Sequence, residues 1–187
     1  MSAQIHRLFF ALRPDADVAR EIERTAATIK ASGRVSGRWV QPSKHHLTVH
    51  FLGSHAGRPA NLVERARAAA QRVRLAPFEI ELERVETFAG HRQSPCVVRS
   101  SPHSDRSLVV LRSKLTGALA GMGLAERLER RFTPHITIAY VDGSLDEPIK
   151  ITPIVWRVQD FALVESQGAS ASHEVVDQWP LCEPGAM

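Results

Sequence analysis

The sequence predicts an α+β fold. Three stretches repeat apolar residues at helical spacing, several others alternate or run apolar over strand length, and the two kinds are interspersed along the chain. With 187 residues, 43% of them apolar and 24% charged, the chain can bury a core of its own. No Pro/Gly/Ser-rich linker divides it. Residues 1–187 therefore read as one domain, with a loose tail at about 183–187.

Residues 6–12 read as a buried strand. Pro14-Asp15 then opens a helix with Val18, Ile22, Ala26 and Ile29 on one face, and Gly33 is its stop. A second helix is predicted over 59–74 (Leu62, Ala66, Ala69, Val73) and a third over 105–120 (Leu108, Leu111, Leu115, Leu119). Residues 79–83 alternate as a half-buried antiparallel strand does, with the glutamates on the wet face. Cys96-Val97-Val98 is a short apolar strand. Residues 154–165 read as one long strand whose phase slips at Gln159-Asp160, a bulge signature, and 174–181 as the last strand. The segment 166–172 is a polar loop.

The formal net charge is +4 and the pI about 9.6. Both suit a polyanionic partner such as RNA, although an arginine-rich composition produces the same numbers. Two distant cysteines, Cys96 and Cys182, make no disulfide framework. The apolar run 8–12, halted by Arg13-Pro14-Asp15, is too short for a leader or a membrane span, so cytoplasm is the expected compartment.

Two segments carry chemistry: His46-Leu47-Thr48-Val49-His50-Phe51-Leu52-Gly53 and His135-Ile136-Thr137-Ile138-Ala139-Tyr140, 89 residues apart. In a strand, residues i and i+2 share a face. His46 and Thr48 therefore point together, as do His135 and Thr137, while Leu47, Val49 and Phe51, or Ile136 and Ile138, point the other way. Each strand has one face for a core and one for a site, and two such strands related by a pseudo-twofold axis would put both polar faces across one cleft. Imidazole titrates near neutrality, so one ring can serve as base and the other as acid. Hydroxyls beside them can donate to phosphate oxygens where charge builds. The pattern fits the opening of a cyclic phosphodiester and calls for no metal and no cofactor.

These stretches resemble the 2H phosphoesterases, and more narrowly bacterial RNA 2′,3′-cyclic phosphodiesterases, also called 2′-5′ RNA ligase-like proteins. Arg38-Trp39-Val40 with His46-Leu47-Thr48 and Phe51-Leu52-Gly53 is similar to the family's first motif region, and 132–139 to its second. Residues 7–12, 161–166 and Trp179-Pro180-Leu181 match in order, so the resemblance covers nearly the whole chain. It implies a bilobal α+β fold with two antiparallel sheets around a central cleft and helices outside. It implies hydrolysis of RNA 2′,3′-cyclic phosphate ends, or of small cyclic nucleotides, to 2′-phosphates. It also implies His46 as proton donor, His135 as proton acceptor, Thr48 and Thr137 at the phosphate, and ATP-independent 2′-5′ ligation as the reverse chemistry. A monomer is expected.

The family often has arginine five residues after the second histidine, where this chain has Tyr140. His50, predicted on the face of His46, and Arg131, just before the second motif, are possible accessory groups, each with a plainer reading as an incidental polar residue. His45 points away by alternation. His46 and His50 are spaced i, i+4, which suits zinc only on a helix, and no Gly-x-x-x-x-Gly-Lys-Ser/Thr loop supports ATP use. Trp39, Trp156 and Trp179 are more readily core than base-stacking platforms. Two other readings stay open: a non-catalytic RNA-end-binding module, and a 2H enzyme acting on another cyclic or 2′,5′-linked nucleotide.

Overall fold

The computed structural model describes residues 4–88, 93–128, 131–167 and 173–182. The expected tail and most of the 166–172 loop lie outside them. The elements are β1 (Ile5–Leu12), α1 (Ala16–Ala31), β2 (Ser36–Trp39), β3 (Leu47–Ala56), α2 (Ala60–Ala70), β4 (Phe78–Thr87), β5 (Ser94–Ser100), α3 (Pro102–Gly121), β6 (His135–Asp142), β7 (Ile149–Val158), β8 (Asp160–Gln167) and β9 (His173–Pro180). Short 3₁₀ turns occupy Pro42–Lys44 and Ala125–Arg127.

The α+β expectation holds. Every strand pairing is antiparallel, in the order β7-β4-β5-β6-β3-β1-β8-β9, with β2 also on β6. The two expected sheets are the two halves of this order. They meet at a single register pair, Leu47↔Ile136. The order is symmetric about that seam: β3 corresponds to β6, β1 to β5, β8 to β4 and β9 to β7.

The helices cover one face of the sheet. Asp15 caps α1, its carboxylate accepting from Asp17 N at 3.0 Å and Val18 N at 2.9 Å, a contact worth about 1 kcal/mol. Val18, Ile22 and Ile29 are buried beneath it. On α3 the predicted stripe Leu108, Leu111, Leu115 and Leu119 is fully buried. These side chains join Leu8, Phe10, Leu12 and Leu47 in the main core. A smaller cluster of Phe9, Ala11, Ala162 and Val164, with Phe51 and Val175 against it, lies apart from that core. Because Phe9 and Ala11 alternate with Leu8, Phe10 and Leu12 along β1, the small cluster marks the opposite, open face.

Two expected elements need correction. The chain over 154–165 is two strands, β7 and β8, that pair with different partners at opposite ends of the sheet order. Gln159 is where it changes partner, so the phase slip is a crossing between halves and no bulge. The 59–74 helix is shorter, because the α2 ladder closes at Ala70 and Gln71–Arg72 form a turn. The tryptophans are structural: Trp156 is 2% exposed, and Trp179 stacks on Phe161 with centroids 5.5 Å apart. Among the described residues no helix is long and apolar enough to cross a membrane.

Candidate active site

Both His-x-Thr segments sit at the seam. On β3, Leu47 pairs with Leu12 and Thr48 with Ala11; the next pair is His50 with Phe10, so Val49 is an inserted residue. On β6, Ile136 pairs with Val98 and Thr137 with Val97; the next pair is Ala139 with Cys96, so Ile138 is inserted. Each motif therefore has a bulge three residues after its histidine. Each keeps the residue after the histidine in the core, at 0% exposed for both Leu47 and Ile136. Each leaves the histidine and threonine half-buried on the open face.

The inserted Val49 reverses the alternation beyond it, which overturns the predicted face of His50. His50 is 2% exposed and turned onto α3, where its Nε2 lies 2.9 Å from Thr116 Oγ1 and 3.3 Å from the Arg112 carbonyl. The Thr116 hydroxyl donates to that carbonyl at 2.8 Å, so it accepts from the His50 N–H. Phe51, expected in the core, faces the open side against Phe9 and its neighbours for the same reason.

The two histidines are held alike. His46 Nδ1 donates to the Lys44 carbonyl at 2.7 Å, and His135 Nδ1 donates to the Thr133 carbonyl at 2.6 Å. A carbonyl only accepts, so the proton of each neutral ring is on Nδ1 and the lone pair on Nε2. Among the described residues neither Nε2 and neither threonine hydroxyl has a hydrogen-bond partner. A phenylalanine backs each ring: Phe9 at 5.0 Å from His46 and Phe88 at 5.0 Å from His135, centroid to centroid.

Burial pushes the His46 ring down to about 4; the Lys44 carbonyl opposes this, and the charges of His173, His135 and His45 add to it. Burial also lowers His135, with the Thr133 carbonyl opposing, Arg99 lowering further and Glu86 raising. A charge on His135 disfavours protonation of His46. Arg99 pairs directly across from His135 and is held by Glu86 at 2.6 Å.

One ring beside His46, that of His173, carries no local sequence signal. His173, opening β9, sets its ring edge-on to His46 with centroids 4.7 Å apart at 82°. Tyr140 is half-buried on the open face, where β2 brings Arg38 opposite it. The Arg38 guanidinium lies 4.8 Å above the Tyr140 ring centroid, a cation–π geometry. Arg131 is exposed, and its carbonyl accepts from Arg112 at 3.2 Å.

Two strands thus each present a tautomer-fixed histidine and a threonine hydroxyl at one seam. A family model of the 2′-5′ RNA ligase superfamily matches residues 13–169, and the chain belongs to that superfamily. The RNA 2′,3′-cyclic phosphodiesterase of Bacillus subtilis (strain 168) is 29% identical over 103 residues, 54% of each chain, so the alignment spans about half the length of that relative. Apo LigT of E. coli superposes with a TM-score of 0.75 at 24% identity, covering 96% of this chain and 99% of LigT. TT0787 of Thermus thermophilus gives 0.76 at 23%, covering 95% and 98%. LigT crystallised with 3′-AMP gives 0.71 at 25%, covering 95% and 98%. The fold is therefore that of LigT.

Proposed function

We propose that this chain hydrolyses RNA 2′,3′-cyclic phosphate ends, and small 2′,3′-cyclic nucleotides, to 2′-phosphates. The observation that carries the reading is the matched pair of histidines, each with Nδ1 tied to a carbonyl and Nε2 left for chemistry. His135 takes a proton from water through Nε2 as the water oxygen bonds to phosphorus. The bond from phosphorus to the ribose 3′-oxygen breaks, and protonated His46 gives that oxygen its proton. Thr48 and Thr137 donate to the non-bridging oxygens, where negative charge is greatest. A 5′-hydroxyl replacing the water forms a 2′-5′ bond with no ATP consumed.

Burial keeps His46 neutral in the free protein, yet the acid role needs it charged. The anionic phosphate supplies the stabilisation, so binding and protonation are coupled. The scheme needs one domain and one copy of it, because both walls of the site come from one chain, and a monomer acting on RNA in the cytoplasm completes the reading. Tyr140 with Arg38 offers a flat face and a cation at the edge of the site, whereas His50, under α3, serves structure. Turnover of 2′,3′-cyclic AMP to 2′-AMP in the presence of chelator tests the reading. Binding of the substrate with no turnover would favour the RNA-end-binding alternative.

A further inference from the structure

We propose that Arg99 is a further donor to the reacting phosphate: its guanidinium, anchored by Glu86 beside His135, hydrogen-bonds a non-bridging oxygen as negative charge builds there. The inference rests on the hydrolysis proposed above and adds a residue to its machinery.

The sheet fixes the position. Arg99 stands opposite His135 in the pairing of β5 with β6. Its neighbour Val98 pairs with the core residue Ile136 and is fully buried, so Arg99 takes the other face, the one that carries His135 and Thr137. Side chains directly opposite on neighbouring antiparallel strands start about 5 Å apart. Strand β4 continues the pattern, with Val85 opposite Val98 and Arg84 opposite Arg99, which puts Glu86 on the open face as well. A ring contact gives the same placement without the register. Phe88 lies 5.0 Å from the His135 ring, and the Arg99 Cζ lies 5.8 Å from the Phe88 centroid.

The guanidinium is held at one nitrogen. Nη1 donates to Glu86 Oε1 at 2.6 Å, and only 13% of the side chain is exposed. Glu86 Oε2 lies 3.4 Å from Arg84 Nε, and Arg84 pairs in turn with Glu83 at 2.6 Å. The four charges cancel, so Arg99 stays charged in a packed setting before any anion arrives. Nε and Nη2 share the other edge of the planar group. Nε is enclosed without an acceptor, and among the described residues Nη2 has none either. An enclosed donor with no acceptor is unfavourable, and this edge is the one whose two parallel donors match a phosphate. Nη2, the terminal nitrogen, takes the first contact. A cyclic phosphodiester carries one negative charge, and the water oxygen adds a second as its proton passes to His135. A cation fixed beside that ring therefore meets more charge in the transition state than in the bound substrate.

The test measures kcat/KM for 2′,3′-cyclic AMP and for the two diastereomers of its phosphorothioate, in which sulfur replaces one or the other non-bridging oxygen. Arg99→Met should slow the oxygen substrate by roughly 10–10²-fold. It should slow the diastereomer whose sulfur faces Arg99 severalfold less, because sulfur is a poor acceptor and that contact is already weak. Arg99→Lys keeps the charge without the fork and should recover only part of the rate; it carries the same comparison if melting curves show that Arg99→Met does not fold. Equal slowing of all three substrates would make Arg99 a prop for His135 and overturn the phosphate contact, as would wild-type rates in Arg99→Met. If wild type turns over none of the substrates, the hydrolytic reading fails separately. Calorimetric binding of 2′-AMP then decides the contact, with equal affinities for wild type and Arg99→Lys counting against it.

Discussion

Leu47 and Ile136 face one another in the register pair that ties β3 to β6. In that antiparallel register His46 falls beside Thr137, and Thr48 beside His135. The seam thus interleaves the two motifs in register, with each histidine's position opposite the other motif's threonine. Both rings lie on the open face, away from the helix-covered core. His46→Ala and His135→Ala should therefore leave the fold in place while lowering kcat by about 10²–10⁴-fold each. The double variant should lose much less than the product of the two, because the groups serve one reaction. Steady-state rates with circular dichroism and melting curves check this. Near wild-type turnover in either single variant would remove the assigned roles.

The depressed protonation of His46 sets the sign of a pH dependence. The ring titrates at about 4 in the free protein, and an anion that requires its charged form binds with uptake of one proton. Above about pH 4, affinity for a 2′-phosphate product should fall as pH rises, approaching tenfold per unit until the bound form also titrates. Calorimetry in buffers of different ionisation enthalpy reads the proton directly. Uptake should vanish in His46→Ala. Release of a proton on binding, or unchanged uptake in that variant, would contradict the coupling.

The helices, most of the strands and the two His-x-Thr pairs were legible in the sequence because each depends on local periodicity. The face of β3 beyond Thr48 was not. Alternation assumes one residue against one, and the insertion of Val49 opposite β1 breaks it, which sent His50 into the core and Phe51 out. Strand β2, Ser-Gly-Arg-Trp, carries no apolar run and exists through its pairing with β6. The rings of Phe9, Phe88 and His173 reach the motif histidines from separate strands or their ends. Such contacts are set by sheet order, and nothing in the spacing of those residues announces them.

Gly37 shows what that pairing requires. A Cβ there would stand 2.2 Å from the Tyr140 carbonyl oxygen and 2.7 Å from Val141 Cα, so any side chain forces β2 off β6. Gly37→Ala should unseat Arg38 from the Tyr140 ring. If the pair supports substrate, Gly37→Ala, Arg38→Ala and Tyr140→Ala should each raise KM severalfold with little change in kcat, since none reaches the reacting bonds. A fall in kcat alone would place the pair in the chemistry, and no change would make it a surface contact.

His50 yields a prediction on stability. Its pKa is lowered to about 4, by burial first and further by Arg112, against the raising effect of the Arg112 carbonyl. The unfolded chain titrates at about 6.5. Between these values the unfolded state holds more protons than the folded one, so stability is complete above about pH 6.5 and is lost as pH falls towards 4. Across that window the loss is on the order of 3 kcal/mol. Burial lowers His46 and His135 in the same direction. His50→Gln keeps a donor for Thr116 but cannot be protonated. It should melt at a lower temperature than wild type at pH 8, through imperfect filling of the site under α3, and should lose less on going to pH 5. Parallel melting curves for the two proteins over that range would mean that His50 takes up its proton without cost, and would rule out its burial as a source of acid sensitivity.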